Sequence, residues 1–462
     1  MKIPVIAIFD VGKTNKKLFL FDENYKIVYE KSARFIETVD EDGDHCENLS
    51  SLKQSIFDSL QEVLKRDEFD IKAVNFSTYG ASFVYIDASG NPVTPLYNYL
   101  KDYPEALKNK FYSAYGGEEQ FAEETASPVL GSLNSGMQLY RLKHEKPELF
   151  SKIKFALHLP QYISFLLTGK EFSDITSIGC HTNLWDFKKT DYHNWVKKEE
   201  ILPKLAPIVP ADDVIPINFS GHQLNVGIGL HDSSAALIPY LINFQEPFAL
   251  ISSGTWCITL NPFNKAPLTG DELRNDCLCY LQYKGTPVKA SRLFAGFEHE
   301  QQVKRIATHF KEAGIKYREV EYNPAIIKKL RNRNSHAEMD LKHPNTNELN
   351  FSLRDLNTFE SDVEAYHQLM LDIAEAQYKS TTRVLEGTNV KRIFVDGGFS
   401  KNSIYMNLLA GLFKDKEVFA ASMAQATAVG AALAIHMHWT SKALPNDIIE
   451  LKYYSAAERT AL

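Results

Sequence analysis

Long apolar runs, clustered basic residues and paired cysteines are all missing from this chain, and each absence closes off a class of protein. No apolar stretch reaches the ~18 residues that a membrane-spanning helix requires. The net charge of −7 leaves no basic surface for nucleic acid. The short clusters Lys328-Lys329 and Arg331/Arg333 sit in a polar stretch and read as solvated. The cysteines (Cys46, Cys180, Cys257, Cys277, Cys279) are odd in number, and Cys277-Leu278-Cys279 has no second pair at zinc-binding spacing. They read as reduced, mostly buried thiols. An apolar strand begins almost at once, without the charged region and small-residue cleavage site of a secretory leader. The expectation is a cytoplasmic protein, monomer or homodimer, whose partner is a small molecule rather than nucleic acid or a membrane.

What is present suits a large globular protein. A chain of 462 residues, 44% hydrophobic and 24% charged, is too long for one ordinary core, so two large domains are expected. Residues 3–10 and 17–22 read as strands joined by a glycine turn. Residues 49–66 carry Leu52, Ile56, Leu60 and Val63/Leu64 at helical spacing. VNFS (74–77) and FVYID (83–87) read as short strands, and 136–168 as a helix in two pieces with Pro160 opening the second. Strands alternating with helices imply α/β layers. The opening plan then recurs: FALISSGTWCITL (248–260) repeats apolar run, small polar turn, apolar run, with Gly254 in the place of Gly12. KRIFVDGGFSKNSIYMNLLAGLF (391–413) likewise answers AVNFSTYGASF (73–83). A duplicated unit with a cleft between its copies follows, with a boundary near residue 243. Residues 331–350, polar and rich in Asn, read as a surface insertion.

Three constellations carry chemistry. The first is the pair of hairpin turns, where Gly12 and Gly254 permit close backbone approach and Thr14, Asn15, Ser252, Ser253 and Thr255 offer hydroxyls and amides. Such turns make anion-binding concavities suited to phosphate, and Lys13, Lys16 and Lys17 add positive charge. Asp10 ends an apolar strand beside the first turn, which costs desolvation energy unless a positive group meets it. The second is NVGIGLHDSSAALIPY (225–240), which delivers Asp232 to the start of a small-residue helix, as a helix cap or as a general base. His231 beside it reads as packing or solvent-facing. The third is Gly397-Gly398, between strand and helix, where a planar ring can lie against backbone above the small-residue helix 426–432.

In order and spacing, D-V-G-K-T (10–14), G-L-H-D (229–232), S-S-G-T (252–255), D-G-G-F-S-K-N (396–402) and A-T-A-V-G-A-A (426–432) resemble the FGGY carbohydrate kinases over essentially the whole chain. These belong to the actin-like ATPase superfamily. The resemblance implies two ribonuclease-H-like α/β domains, 1–243 and 244–462, flanking a deep cleft. It implies ATP and Mg2+ as cofactors, with Asp10 and Asp232 at the metal and Asp232 the base toward a sugar hydroxyl. Gly12, Lys13, Thr14 and Asn15 would face the transferring phosphate, Gly254 and Thr255 would hold the ATP phosphates, and Gly397, Gly398 and Asn402 would line the adenosine pocket. FSTYGASFVYID (76–87) resembles the kinases of L-rhamnulose and L-fuculose in Thr78, Tyr79 and Gly80, but Ser82 stands where they carry Asp. Their Trp-x-Asp-x-Arg element is degraded to YNYLKDY (97–103), which leaves Asp102 as an expected sugar contact. Gln138 and Arg141 replace the family's Lys and Trp, and Lys13 its commoner Thr. A D-xylulose kinase, or an actin-like nucleotide sensor without catalysis, is the alternative.

Overall fold

The structure is a computed structural model that describes residues 2–13, 16–33, 37–337, 349–423 and 425–455. Its first sheet grows from the apolar opening. Strands β1 (Ile3–Val11), β2 (Lys16–Asp22) and β3 (Ile27–Ala33) are antiparallel neighbours. Helix α1 (Leu49–Leu64) crosses over, capped by the Asn48 side chain and burying the predicted Leu52, Ile56, Leu60, Val63 and Leu64. Strand β4 (Phe69–Thr78) then returns parallel to β1. With β5 (Val214–Phe219), β6 (His222–Gly227) and the two-residue β7 (Leu230–His231), the order is β5-β6-β4-β1-β2-β3, β7 also pairing with β4. Helix α2 (Asp232–Asn243) follows directly.

The second sheet repeats the plan. Strands β8 (Phe248–Ser253), β9 (Cys257–Asn261), β10 (Cys277–Leu281), β11 (Pro287–Leu293), β12 (Arg392–Gly397), β13 (Glu417–Ser422) and β14 (Glu450–Tyr454) lie in the order β10-β11-β9-β8-β12-β13-β14. As β2 and β4 flank β1, so β9 and β12 flank β8, antiparallel and parallel respectively. The match extends to register: Val11 opposes Thr78 as Ser253 opposes Gly397. Helices α3 (Ala295–Phe310), α4 (Asp362–Leu385), α5 (Ser403–Leu412) and α6 (Ala426–Ala434) complete the elements used below.

Several expectations change in detail. VNFS is the end of a ten-residue strand, because the charged residues that hid its start occupy alternate, half-exposed positions. The 136–168 stretch is interrupted by a strand: Phe155–His158 pairs with Phe83–Ile86 between helices Ser135–Glu145, Pro147–Lys152 and Leu159–Thr168. Of the expected insertion, 331–337 continue the helix Pro324–Ala337, and 338–348 lie outside the described residues. All five cysteines are free and buried. No helix among the described residues is long and apolar enough to cross a membrane.

The two sheets meet through α2 and α6, whose small side chains let backbone touch backbone. A Cβ on Gly430 would stand 1.8 Å from the Ala235 carbonyl oxygen. Asn75, fully buried on β4, donates to the Ala431 carbonyl at 2.8 Å and accepts from the Gly229 amide at 3.1 Å. One side chain thus ties α6 and the approach to α2 to the same strand. Because the obstacle at Gly430 is backbone, no rotamer change relieves it. Gly430→Ala should lower stability by roughly 2 kcal/mol or more, measured by urea denaturation. Gly411→Ala, where a Cβ meets nothing within 4 Å, is the matched helical control and should be neutral or stabilising by up to about 1 kcal/mol.

Candidate active site

Asp10 lies one residue before the end of β1, opposite Ser77 of β4 and Lys17 of β2. Its Oδ2 accepts from the Thr427 hydroxyl at 3.0 Å, the second residue of α6. The helix junction therefore carries a hydroxyl from the second half of the chain onto a carboxylate of the first. Burial raises the Asp10 carboxyl to about 6; the Asp232 charge adds to the rise, while Thr427 and Lys17 oppose it.

Asp232 opens α2. Its side chain keeps 34% of its surface exposed, and its charge acts on Asp10 and on Tyr99. Desolvation raises it to about 6 against hydrogen bonds from the Ser233 amide (2.6 Å) and hydroxyl (3.3 Å). Two carboxylates that feel each other across a poorly solvated gap make a place for a cation, so the donor set fits a divalent metal. His231 is neither solvent-facing nor mere filler. Its Nε2 lies 3.2 Å from Asp232 Oδ1 and 3.1 Å from Cys180 Sγ, and burial lowers the ring to about 3, so it is neutral. Gly80 lies against this ring: a Cβ there would meet His231 carbon at 2.8 Å.

Tyr79 is buried, its ring 5.8 Å from that of Tyr99, and the Asp232 and Glu47 charges help burial raise the Tyr99 phenol. Tyr99, not Asp102, therefore belongs to this wall. Asp102 is exposed, with its carbonyl accepting from Arg141 at 2.9 Å. Counting from Tyr97 puts Tyr99 at the third position of the degraded Trp-x-Asp-x-Arg element, a signal the sequence did carry. The buried Thr78 hydroxyl donates to the Tyr79 carbonyl at 2.9 Å. Ser82 is buried with an unpartnered hydroxyl.

The lysines near the first turn are not free to meet an anion as expected. Lys13 pairs with Glu37 (3.5 Å) and Glu47 (3.7 Å), Lys16 with Glu47 (3.0 Å) and Lys17 with Glu30 (2.8 Å). Gly12 follows β1 directly, while Thr14 and Asn15 lie outside the described residues.

On the second sheet, Gly254, Gly398 and Asn402 line one cavity of about 760 Å³ with Gly296, His299, Tyr317, Tyr366, Phe399 and Lys401. Gly397 sits beside it with φ +87, and a Cβ there would lie 1.9 Å from the Ser253 carbonyl oxygen, so only glycine makes this turn. The Gly254 amide donates to the Trp256 carbonyl at 2.8 Å, while Thr255 is exposed at the turn's tip and its carbonyl accepts from Phe297 at 3.1 Å. His299 and Tyr366 stand on helices α3 and α4 and belong to none of the motifs singled out in the sequence.

A second group of metal-ligand type, Glu124, Asp186 and His193, brings ligand atoms within 4.8 Å. His193 Nδ1 accepts from the Trp195 amide (3.3 Å), which puts the ring proton on Nε2 toward Glu124 at 2.8 Å. That is a hydrogen bond, not a ligand set.

Residues 5–233 match the FGGY family of carbohydrate kinases, N-terminal domain, and residues 345–439 its C-terminal domain. The chain belongs to the FGGY family. The rhamnulokinase of Mannheimia succiniciproducens is 25% identical over 276 residues, 56% of this chain and 54% of that protein. That of Klebsiella pneumoniae strain 342 is 26% identical over 232 residues, 47% and 44%. The chain spans about half the length of the curated relatives it matches. In fold the likeness is nearly complete. A carbohydrate kinase from Novosphingobium aromaticivorans superposes with TM-score 0.78 at 22% identity, covering 98% of this chain and 95% of that one. A xylulose kinase from Lactobacillus acidophilus gives 0.74 at 17%, covering 98% and 93%. The architecture is thus the two-part α/β actin-like ATPase fold of FGGY kinases.

The carboxylate pair sets a stability signature. The folded carboxyls of Asp10 and Asp232 take up protons near pH 6, above their unfolded values near 4. Without nucleotide or metal, stability should rise as pH falls from 7 toward 5 and be lost as pH rises through about 6. Asp10→Asn should raise the melting temperature at pH 8 more than at pH 5 in thermal scans. An equal effect at both would contradict the shift.

Proposed function

We propose that this chain is an ATP-dependent kinase that transfers the γ-phosphoryl group to the terminal hydroxyl of a ketose. A 6-deoxyketose such as L-rhamnulose or L-fuculose is the favoured acceptor, acting in the cytoplasm. The observation that carries the reading is Asp10, held by Thr427 of the second half and within reach of the Asp232 charge, with the glycine-lined cavity on the second sheet. In this reading residues 1–243 supply the sugar side and the base, and residues 244–462 the nucleotide side. The similarity to rhamnulokinases supports the sugar class. So do the rings of Tyr79 and Tyr99, an apolar surface suited to a deoxy carbon.

Asp232, ionised above about pH 6, accepts the proton of the attacking hydroxyl. Neutral His231, with Nε2 3.2 Å from Asp232 Oδ1 and 3.1 Å from Cys180 Sγ, packs beside that carboxylate. Asp10, fixed by the Thr427 hydroxyl, and Asp232 would hold Mg2+, which when bound supplies charge neutralisation to the phosphate oxygens. Gly254 gives close backbone approach to the phosphates, with Thr255 beside it. Gly397, Gly398 and Asn402 bound the nucleoside end. The protein's work here is positioning and charge placement, as phosphoryl transfer requires.

Asp232→Asn should cut kcat by ~10²–10⁴ while leaving nucleotide affinity within about twofold. ADP release in a coupled assay over L-rhamnulose, L-fuculose and D-xylulose, with calorimetry for binding, tests both. Unchanged turnover in the variant removes Asp232 from the base role. Silence of the unaltered protein on every ketose, with nucleotide binding intact, would turn the reading toward a nucleotide sensor.

A further inference from the structure

The cavity on the second sheet holds a chain of hydrogen bonds whose direction can be read from end to end. It starts at Asn402, the cap residue of α5. Its Oδ1 accepts from the Tyr405 amide at 3.0 Å, so the amide nitrogen must point the other way. That nitrogen, Nδ2, donates to the Tyr366 hydroxyl oxygen at 2.8 Å. The Tyr366 phenol, raised to about 12 by burial, keeps its own proton, and having accepted from Asn402 it has that proton to give. The partner in reach is His299 Nε2, at 3.1 Å. A ring nitrogen that accepts cannot carry the proton, and burial lowers the His299 ring to about 4, so the imidazole is neutral. With Tyr366 as the donor of this bond, Nε2 accepts and the ring's single proton is on Nδ1.

His299 Nδ1 makes no hydrogen bond among the described residues, and His299 lines the cavity beside Gly296, Gly398 and Asn402. The ring is held in place by more than its hydrogen bond: Phe399 meets it edge-on at 5.4 Å, and Tyr366 at 5.8 Å. A packed ring with one nitrogen committed leaves the other as a pre-oriented donor. If His299 were only a packing residue, a relay anchored at a helix cap would not be needed to fix its tautomer.

We propose that His299 is a specificity residue for the nucleotide, presenting Nδ1–H to an acceptor atom of the bound nucleoside, base or ribose, with Tyr366 and Asn402 as the positioning residues that fix the tautomer. The assignment rests on the reading of this cavity as the nucleotide side of the site. Because the donor is fixed in direction, a nucleoside that offers an N–H or C–H at that point is disfavoured, not merely unrewarded. The α3 helix, on this account, contributes recognition and not only the wall of the pocket.

The test uses the full chain and ATP without sugar. Nitrogen-15 NMR of labelled histidine should report His299 as the Nδ1–H tautomer in the free protein. Tyr366→Phe, which keeps the ring but removes the hydroxyl, should shift it toward a mixture. His299→Phe should weaken ATP binding by about threefold to tenfold in calorimetry, the range of one neutral hydrogen bond. Among 7-deaza-ATP, 3-deaza-ATP, 2′-deoxy-ATP and 3′-deoxy-ATP, one analogue should bind the unaltered protein more weakly and His299→Phe no more weakly than ATP does, which identifies the acceptor. An Nε2–H tautomer, or unchanged ATP affinity in His299→Phe, overturns the proposal and leaves the kinase reading standing. No ATP binding by the unaltered protein overturns both.

Discussion

Backbone contact between α2 and α6 is the constraint on which the rest of the site depends. With 1.8 Å separating the Ala235 oxygen from the place a Gly430 Cβ would take, these helices approach as closely as polypeptide allows. Each begins at the site: α2 with Asp232, α6 with Ala426 and Thr427. Any wider crossing would withdraw the Thr427 hydroxyl from Asp10 and separate the two carboxylates. The small residues of both helices are thus not a weakness of packing. They set the distance between groups that come from opposite ends of the chain.

Burying two acids in one region is unfavourable by itself, and desolvation raises both carboxyls, with the Asp232 charge adding to the rise at Asp10. The fold answers with hydroxyls and amides from Thr427 and Ser233 rather than with a lysine at the carboxylates. The nearby ammonium groups of Lys13 and Lys16 are held at Glu47. A site so arranged keeps its negative charge available to an incoming cation, whereas a resident ion pair would have to be broken first.

The overall plan was legible because it is written twice. The hairpin around Gly12 and its echo around Gly254 announce two sheets, and the strand–glycine junctions at 78–80 and 396–398 mark the parallel returns. Asp10, Asp232 and the cavity glycines lie on these repeated signals, which is why sequence alone could reach them. His299 and Tyr366 lie elsewhere. Their placement depends on which helix face turns inward or how far a loop runs before it folds back, and neither leaves a local motif. Asp102 is chemically attractive in a sequence, but in the structure it lies exposed on the loop two residues beyond Tyr99's neighbour Leu100.

Duplication also explains why the two halves are not chemically equal. Where the first copy has Asp10 two residues before its turn glycine, the second has Ser252, and where the first has Thr78 in register, the second has Gly397. On the proposed function the difference is required. A phosphate chain held between two walls cannot face a carboxylate on each, because like charges would repel it on one side for every cation bound on the other. On the second wall the carboxylate at this turn, Asp396, accepts from the Tyr240 hydroxyl and the Gly397 amide, and the turn itself is glycine, so that neutral backbone can come close. Gly397 at φ +87 and the open space over Gly398 leave that approach free. On the proposed function the second copy then recognises the nucleoside, with the hydrogen-bonded Asn402–Tyr366–His299 chain lining the same cavity.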